Sequence, residues 1–448
     1  MSEVASLHTG AEVLEALRDQ PGGQQLLELA ADRGDVELVG GAVRDLLLGH
    51  TPRELDVIVA DDAAAFAQEL AQRLNALTGK SARERSLFES SSHERFGTAL
   101  VWCEESRIDV VTRRSERYPQ PGALPEVAEG TPEEDLQRRD FTVNAISLAL
   151  GGAHRGELHA VPGALEDLSA GRLRVLHDAS FIDDPTRLLR LARYRARLSF
   201  AIEEHTAGLA ATAVSSRALA TVSLARIGAE LRLALSEADM VAALTSIAGL
   251  GLLKALPTQP RFDEQIARKA LALLSEAGGD TRPDLLLLTL LLAPPRYPLE
   301  YELYEEKRND IVWFLSGLQF TAADGDVVLR ALTEGRGMAL GLAAAQAHEV
   351  PSRIYDAASR ASLEAVALVG ATAAFRVADE GPITLAARRW LTELRHVRLQ
   401  ITGEDLLAAG VPQGPEVGRR LEAALRAKLD GELDGEGREA ELRAALEA

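Results

Sequence analysis

Glu54 and Asp56 are separated by one residue within the apolar run ELDVIVA. In a β-strand such residues share a face, so the two acids would point the same way and repel. Turned inward, the pair is costly unless a cation sits between them. On an open strand face it needs no partner, and for an isolated Glu-x-Asp that plainer reading carries more weight. A third carboxylate, Asp109, lies in RIDVVTRR, a second strand-like run flanked by arginines. Three acids from two strands suit a hard divalent cation such as Mg²⁺, which bridges carboxylates to phosphates. In a two-metal arrangement one ion activates a hydroxyl and the other steadies a triphosphate. No histidine near these strands is placed as a general base, so Asp109 would take the proton.

Two further stretches could hold phosphates or a nucleoside. In LVGGAVRDLLLG, Gly40 and Gly41 end one apolar run and open a helical pattern, where backbone N–H groups are free and a ligand can come close. A lone glycine pair is also an ordinary strand-to-helix turn. In GTPEEDLQRRDFTVNAISL, Thr131 and Glu134 form a capping box with Pro132 at the first helical position. Arg138, Arg139 and Asp140 follow, with Asn144 one turn beyond. Adjacent arginines can hold a triphosphate or ribose, and Asp140 and Asn144 can add sugar or base contacts. The same residues could form a solvated charged helix.

The elements that must position these groups are legible from periodicity. VELVG, ELDVIVA, TALVW, RIDVVTR and NAISLAL read as strands, and DDAAAFAQELAQRLNAL as a helix between them. That gives an α/β domain with one mixed sheet. After about Val161 the pattern is helical to the end, broken at PTQPRF, APPRYP and GVPQGP.

The 448 residues are 46% hydrophobic and 26% charged, a soluble globular composition with room for several domains. The net charge of −19 argues against indiscriminate nucleic-acid binding. A single cysteine, Cys103, excludes an intrachain disulfide and a multi-thiolate metal site, and reads as a small core residue. The start of the chain lacks the pattern of a signal peptide. The longest apolar run, Leu285 to Ala293, is too short to span a bilayer and reads as a buried helix. A cytoplasmic location is expected.

Four stretches occur in order: VGGAVRDLLLG with ELDV, then FGTALV with RIDVVTRRSERYPQPGALPEV, then EEDLQRRDFTVNAI, then SFIDDPTRLLRLARYRARLSF. Over residues 36 to 205 they resemble the class II tRNA nucleotidyltransferase and bacterial poly(A) polymerase family, of the polymerase-β-like superfamily. ITGEDLLAAGVPQGPEVGRRL resembles the family's C-terminal segment more weakly. The resemblance implies an α/β nucleotidyltransferase head (1–160), an all-α neck that selects the nucleotide (161–220), and a helical body and tail that hold RNA (221–448). It implies that Glu54 and Asp56 ligate Mg²⁺ and that Asp109 completes the catalytic trio. Gly40, Gly41 and Arg44 would hold the triphosphate, and Arg139, Asp140 and Asn144 the sugar and phosphates. The family usually has Asp where this chain has Glu54, whose extra methylene moves the carboxylate outward.

FIDDPTRLLRLARYRARLSF reads as helical, which would put Asp184 and Arg187 side by side on one face. A carboxylate beside a guanidinium accepts from an exocyclic amine and donates to a ring nitrogen. Cytosine and adenine offer that pattern; uracil and guanine do not. Such a pair is otherwise a surface ion pair, but it matches the family's amino-acid template, with Asp183 where Glu is common. Arg172 to Phe200 holds seven arginines and three aspartates. Arg187, Arg190, Tyr194 and Arg197 would share a face, a basic stripe able to guide an RNA end or to lie over the core. The His177-Asp178 dipeptide lacks the partners of an HD phosphohydrolase and reads as incidental.

The implied activity is template-independent addition of CMP and AMP, from CTP and ATP, to the tRNA 3′ end, completely or only in part. LTGKSARERSLFESSSHERFGTAL lies where the family's flexible loop helps set specificity. A poly(A) polymerase ranks lower, because an acidic chain suits varied RNA ends poorly. A non-catalytic RNA-binding module ranks lower still, because Asp56 and Asp109 are both present.

Overall fold

The computed structural model describes residues 7–77, 89–93, 97–103, 106–294, 297–298, 302–373 and 381–448. The chain divides into two compact units, Met1–Val222 and Ser223–Ala448. The first begins with helices α1 (Gly10–Arg18) and α2 (Gly23–Ala30), then β1 (Glu37–Val39), α3 (Gly41–Leu47), β2 (Leu55–Val59) and α4 (Ala63–Leu77). It continues through β3 (Glu89–His93), β4 (Thr98–Cys103), β5 (Ser106–Thr112), β6 (Arg114–Arg117), β7 (Glu126–Glu129) and α5 (Pro132–Gln137). Next come β8 (Ile146–Ala149), β9 (Leu158–Ala160), α6 (Ala164–Ser169), β10 (Arg172–Leu173), α7 (Ser180–Asp183), α8 (Thr186–Leu198), β11 (Ala201–Ile202) and α9 (Glu204–Ser215).

Seven strands form one sheet in the order β3-β4-β5-β2-β1-β8-β9. Strands β2 and β5 run parallel, and the other neighbours antiparallel, so the sheet is mixed as expected. All five strand-like runs of the sequence are strands. In β2, the central strand, Leu55, Val57, Ile58 and Val59 are buried and Asp56 alone is half-buried, so four apolar side chains fix the position of one acid. Helix α4 lies against β4 and β5. Its Phe66, Ala67, Leu70 and Leu74 are buried at i, i+4 and i+8 spacing, as an amphipathic helix on a sheet requires.

The cap read at Thr131 is present. Thr131 Oγ1 accepts from Glu134 N at 3.2 Å, and Glu134 Oε2 accepts from Thr131 N at 2.8 Å, with Pro132 opening α5. Strands do not stop at Val161, because β10 and β11 form a short parallel pair. The helix read through FIDDPTRLL is also interrupted. It ends at Asp183, Asp184 is extended (φ −129°, ψ 91°), and α8 starts at Thr186. Pro185 is the cause: its ring disfavours the helical conformation in the preceding residue. Asp184 and Arg187 therefore do not share a helical face.

The second unit is helical among the described residues, with breaks at the proline-rich stretches. In Pro283–Leu292, Leu285 to Leu291 are all buried, which makes this the buried helix the sequence suggested. Near the C-terminus, Ile401, Leu406, Val411, Ala424 and Ala445 form a small core of their own. Glu441, 1% exposed, ties that core together, accepting from Gln400 N at 2.6 Å, Ile401 N at 3.2 Å and Lys428 Nζ at 2.6 Å. Among the described residues no helix is long and apolar enough to cross a membrane. The Cys103 side chain and the loop residues 78–88 and 94–96 lie outside the described residues.

Candidate active site

The parallel pairing of β2 and β5 sets Asp56 directly opposite Asp109. Glu54 stands one residue before β2, on the same side as Asp56. One carboxylate oxygen from each of Glu54, Asp56 and Asp109 lies within 4.8 Å of the others. Burial together with the neighbouring Glu54 and Asp109 charges pushes the Asp56 carboxyl up to about 7; Arg139 and Arg107 counter this only in part. A carboxyl that holds its proton so far above the usual range marks a spot short of positive charge. The donors are all oxygen and converge from two rigid strands, which fits a hard divalent cation.

Arg107, two residues before Asp109 on β5, faces the same way. Its Nε and Nη2 donate to the two Asp109 oxygens, each at 2.6 Å, and its Nη1 lies 3.5 Å from Glu54 Oε2. The sequence reading noted arginines flanking Asp109 but gave Arg107 no role. The i, i+2 spacing was the available signal.

The glycine turn closes the other side. Gly40 has φ +68° and ψ −130°, and a Cβ there would fall 2.6 Å from Arg139 Nη1. Glycine is needed both for the backbone and for the guanidinium packed on it. Arg139 donates through Nη2 to Asp135 at 3.0 Å, while its Nε has no hydrogen-bond partner among the described residues. Gly40→Ala should cost about 1–3 kcal/mol from backbone strain and displace Arg139; urea unfolding measures the first effect and nucleotide affinity the second.

Arg44, Asp140 and Asn144 are placed differently from what a direct ligand contact would need. Arg44 is 1% exposed. Its Nε donates to Asp45 at 2.8 Å and its Nη1 to Asn144 Oδ1 at 2.6 Å. Asn144 Nδ2 donates to Asp140 Oδ1 at 2.9 Å, which also accepts from Phe141 N at 2.9 Å. Arg190 donates to Asp140 Oδ2 at 2.7 Å and reaches Tyr194 Oη at 3.3 Å. Burial raises the Asp140 carboxyl, but Arg190, Asn144 and Arg187 more than offset it and hold it at about 2. This buried chain of charges welds α3, the segment after α5, and α8 into one support behind the glycine turn.

Of the two readings of the α8 face, a stripe open to RNA or arginines laid over the core, Arg187, Arg190 and Arg197 follow the second. Arg187 and Arg193 are buried, Arg190 holds Asp140, and Arg197 donates to Asp45 at 2.9 Å. Buried carboxylates require paired cations, and these arginines supply them. Arg187 donates to Ser180 Oγ and to the Arg138 carbonyl, each at 2.7 Å, which puts it beside the Arg138–Arg139 pair. Asp184 Oδ1 accepts from Thr186 N at 3.0 Å and Thr186 Oγ1 at 2.6 Å. Tyr118, raised to about 12 by burial against the pull of Arg187, lies near both Asp184 and Glu116.

A mixed sheet that presents an acidic trio from adjacent parallel strands, next to a glycine turn backed by arginine, defines a nucleotidyltransferase-type head. Residues 36–174 match the Poly A polymerase head domain. Over this head the chain is similar to the tRNA nucleotidyltransferases and poly(A) polymerases. It is 33% identical over 420 residues to an A-adding tRNA nucleotidyltransferase of Geobacter sulfurreducens, covering 89% of this chain and 43% of that protein. It is 38% identical over 265 residues to a CC-adding tRNA nucleotidyltransferase of Deinococcus radiodurans, covering 58% and 64%. The chain thus spans less than two thirds of these relatives. Among solved structures it is similar to a Thermotoga maritima CCA-adding enzyme complexed with tRNA, with TM-score 0.73, 26% identity and 98% of each chain covered. It is also similar to CCA-adding enzyme complexes with ATP and with CTP, each with TM-score 0.74.

Proposed function

We propose that this chain is a template-independent RNA nucleotidyltransferase that adds CMP, AMP or both, from CTP and ATP, to the 3′ end of tRNA with release of pyrophosphate. The observation that carries the reading is the Glu54–Asp56–Asp109 trio gathered beside Gly40 and Arg139. Glu54 and Asp56 would hold Mg²⁺, with Asp109 as the third carboxylate. An ion held there would supply neutralisation of triphosphate charge and a lower pKa for the attacking 3′-hydroxyl.

The chain's own residues do the rest. Gly40 and Gly41 let the triphosphate approach the backbone. The Arg139 guanidinium, packed on Gly40 with its Nε unpartnered, donates to a phosphate oxygen. Arg44, Asn144, Asp140 and Arg190 act from behind by holding that turn and Arg139 rigid. Base reading would have Asp184 accept from the exocyclic amine of cytosine or adenine, and Arg187 donate to the ring nitrogen in exchange for its bonds to Ser180 or the Arg138 carbonyl. Uracil and guanine would meet Asp184 with a carbonyl, a mismatch worth about 1–3 kcal/mol. The support for that assignment is the position of Arg187 against the Arg138 carbonyl, next to Arg139.

The test uses three tRNAs, ending before the first C, after one C, and after CC, each given single and paired nucleotides. Extension of all three ends means full CCA addition. Extension of the first two with CTP alone means CC addition, and extension of the third with ATP alone means A addition. Long adenylate tails on any RNA would instead make the chain a poly(A) polymerase.

A further inference from the structure

The proposed metal site already contains a cation, and it belongs to the protein. Arg107 occupies both oxygens of Asp109 through a two-pronged contact at 2.6 Å and lies 3.5 Å from Glu54. A guanidinium fork on a carboxylate is the strongest geometry available to an ion pair. Arg107 is nevertheless not locked in: its side chain is 53% exposed, while Asp109 is 18% exposed. It enters from the solvent side on a flexible stem, and swinging away would need no change in β5. Arg44 makes the contrast, since it has the same chemistry but is sealed in the interior at 1% exposure. Arg139, on the glycine side, is itself held by Asp135.

We propose that Arg107 is a displaceable internal counter-cation. It bridges Glu54 and Asp109 while no divalent ion is bound, and it must release Asp109 when one binds. This rests on the reading that the trio holds a divalent cation. Two consequences follow from electrostatics. Three clustered carboxylates without a neutralising partner repel one another, so Arg107 stabilises the metal-free protein. The ion and the guanidinium compete for the same Asp109 oxygens, so Arg107 also weakens metal binding. The longer arm of Glu54 fits this role, because it reaches from just before the start of β2 to Arg107.

The experiment is direct Mn²⁺ titration, followed by the EPR signal of the free ion, at pH 8.5 to limit proton competition. It compares the full chain with Arg107→Met, Arg107→Lys and Asp56→Asn. Arg107→Met should bind Mn²⁺ about tenfold more tightly than the unaltered chain. Its metal-free melting temperature should be lower, and the rise on adding Mn²⁺ larger. Arg107→Lys keeps the charge but loses the two-pronged contact, so it should fall between the two. Unchanged or weaker Mn²⁺ binding in both Arg107 variants overturns the proposal. The metal reading itself is judged by Asp56→Asn, which should lose Mn²⁺ binding. If Asp56→Asn binds as the unaltered chain does, the trio is not the metal site and the role given to Arg107 falls with it.

Discussion

Replacing Asp56 by Asn should abolish nucleotide incorporation and at the same time make the metal-free protein more stable above pH 7. The two effects have one cause. Asp56 is half-buried beside Glu54 and Asp109, and its carboxyl is pushed up to about 7. Such a group binds its proton more tightly in the folded than in the unfolded chain. Stability therefore falls as pH rises from about 4 through about 7, the window in which only the unfolded form gives up the proton readily. Above pH 7 the ionised group is a net cost of about 2–4 kcal/mol, each pKa unit being worth roughly 1.4 kcal/mol. Asparagine has no charge to desolvate. Urea unfolding in EDTA at pH 5 and pH 8 should show a drop for the unaltered chain that Asp56→Asn lacks. Loss of a charge-stabilising group from a reaction centre typically lowers rates 10²–10³-fold, and the shared position of Asp56 between the other two acids puts the loss at about 10³-fold or more. A variant that incorporates nucleotide at near-normal rates would remove Asp56 from the chemistry.

The second large effect concerns the support rather than the reaction centre. Arg190→Met should destabilise the fold by about 3–5 kcal/mol, the usual consequence of leaving a buried carboxylate without its cation. Asp140 is 6% exposed, and Arg190 is the first of the groups that hold it at about 2. A carboxyl depressed in the folded state contributes stability above its unfolded value near 4, lost as pH falls through about 2. In Arg190→Met the Asp140 carboxyl rises, so the gap between variant and unaltered chain should be widest at pH 7 and narrow towards pH 3. Asp140→Asn in the Arg190→Met background should recover part of the loss, and the double-mutant cycle isolates the pair. Simple additivity in the cycle would show that the two residues do not act together.

How much of this was legible in the sequence follows from which patterns are local. The five core strands were readable because alternating or continuous apolar runs are fixed by the burial of one sheet. The acidic trio was readable because Glu54 and Asp56 share a strand face by spacing alone, although the register that sets Asp56 against Asp109 is a long-range fact. The capping box at Thr131 is local and was found. Strand β3, the stretch ESSSH, was missed because it has no apolar period, and β6 and β7 because four-residue polar strands resemble loop. The helix through Asp184 was over-extended although Pro185 carried the signal against it.

The roles of the charged residues were harder to read. Arg44, Asp140, Asn144 and Arg197 look like ligand contacts in a string of letters, yet the first three are buried and all four are partners of one another or of Asp45. A string cannot tell a cation that awaits a phosphate from one that neutralises a buried acid, since both require the same residue types. Arg139 differs from these in its place against Gly40, which leaves no room for a side chain, with its Nε unpartnered among the described residues. Arg107 and Arg44 both pair with a carboxylate but differ in exposure, and exposure cannot be read from sequence.

The central claim is that the carboxylates of β2 and β5 promote nucleotide transfer to a tRNA end. Its most direct test is single-turnover extension of 5′-labelled tRNA lacking CCA, or ending in CC, resolved to one nucleotide, with Mg²⁺ or with EDTA, for the unaltered chain and Asp109→Asn. The account predicts one to three added nucleotides, C and A only, in Mg²⁺ alone, and none with Asp109→Asn. Extension that persists in EDTA, or that Asp109→Asn supports at the same rate, would contradict it.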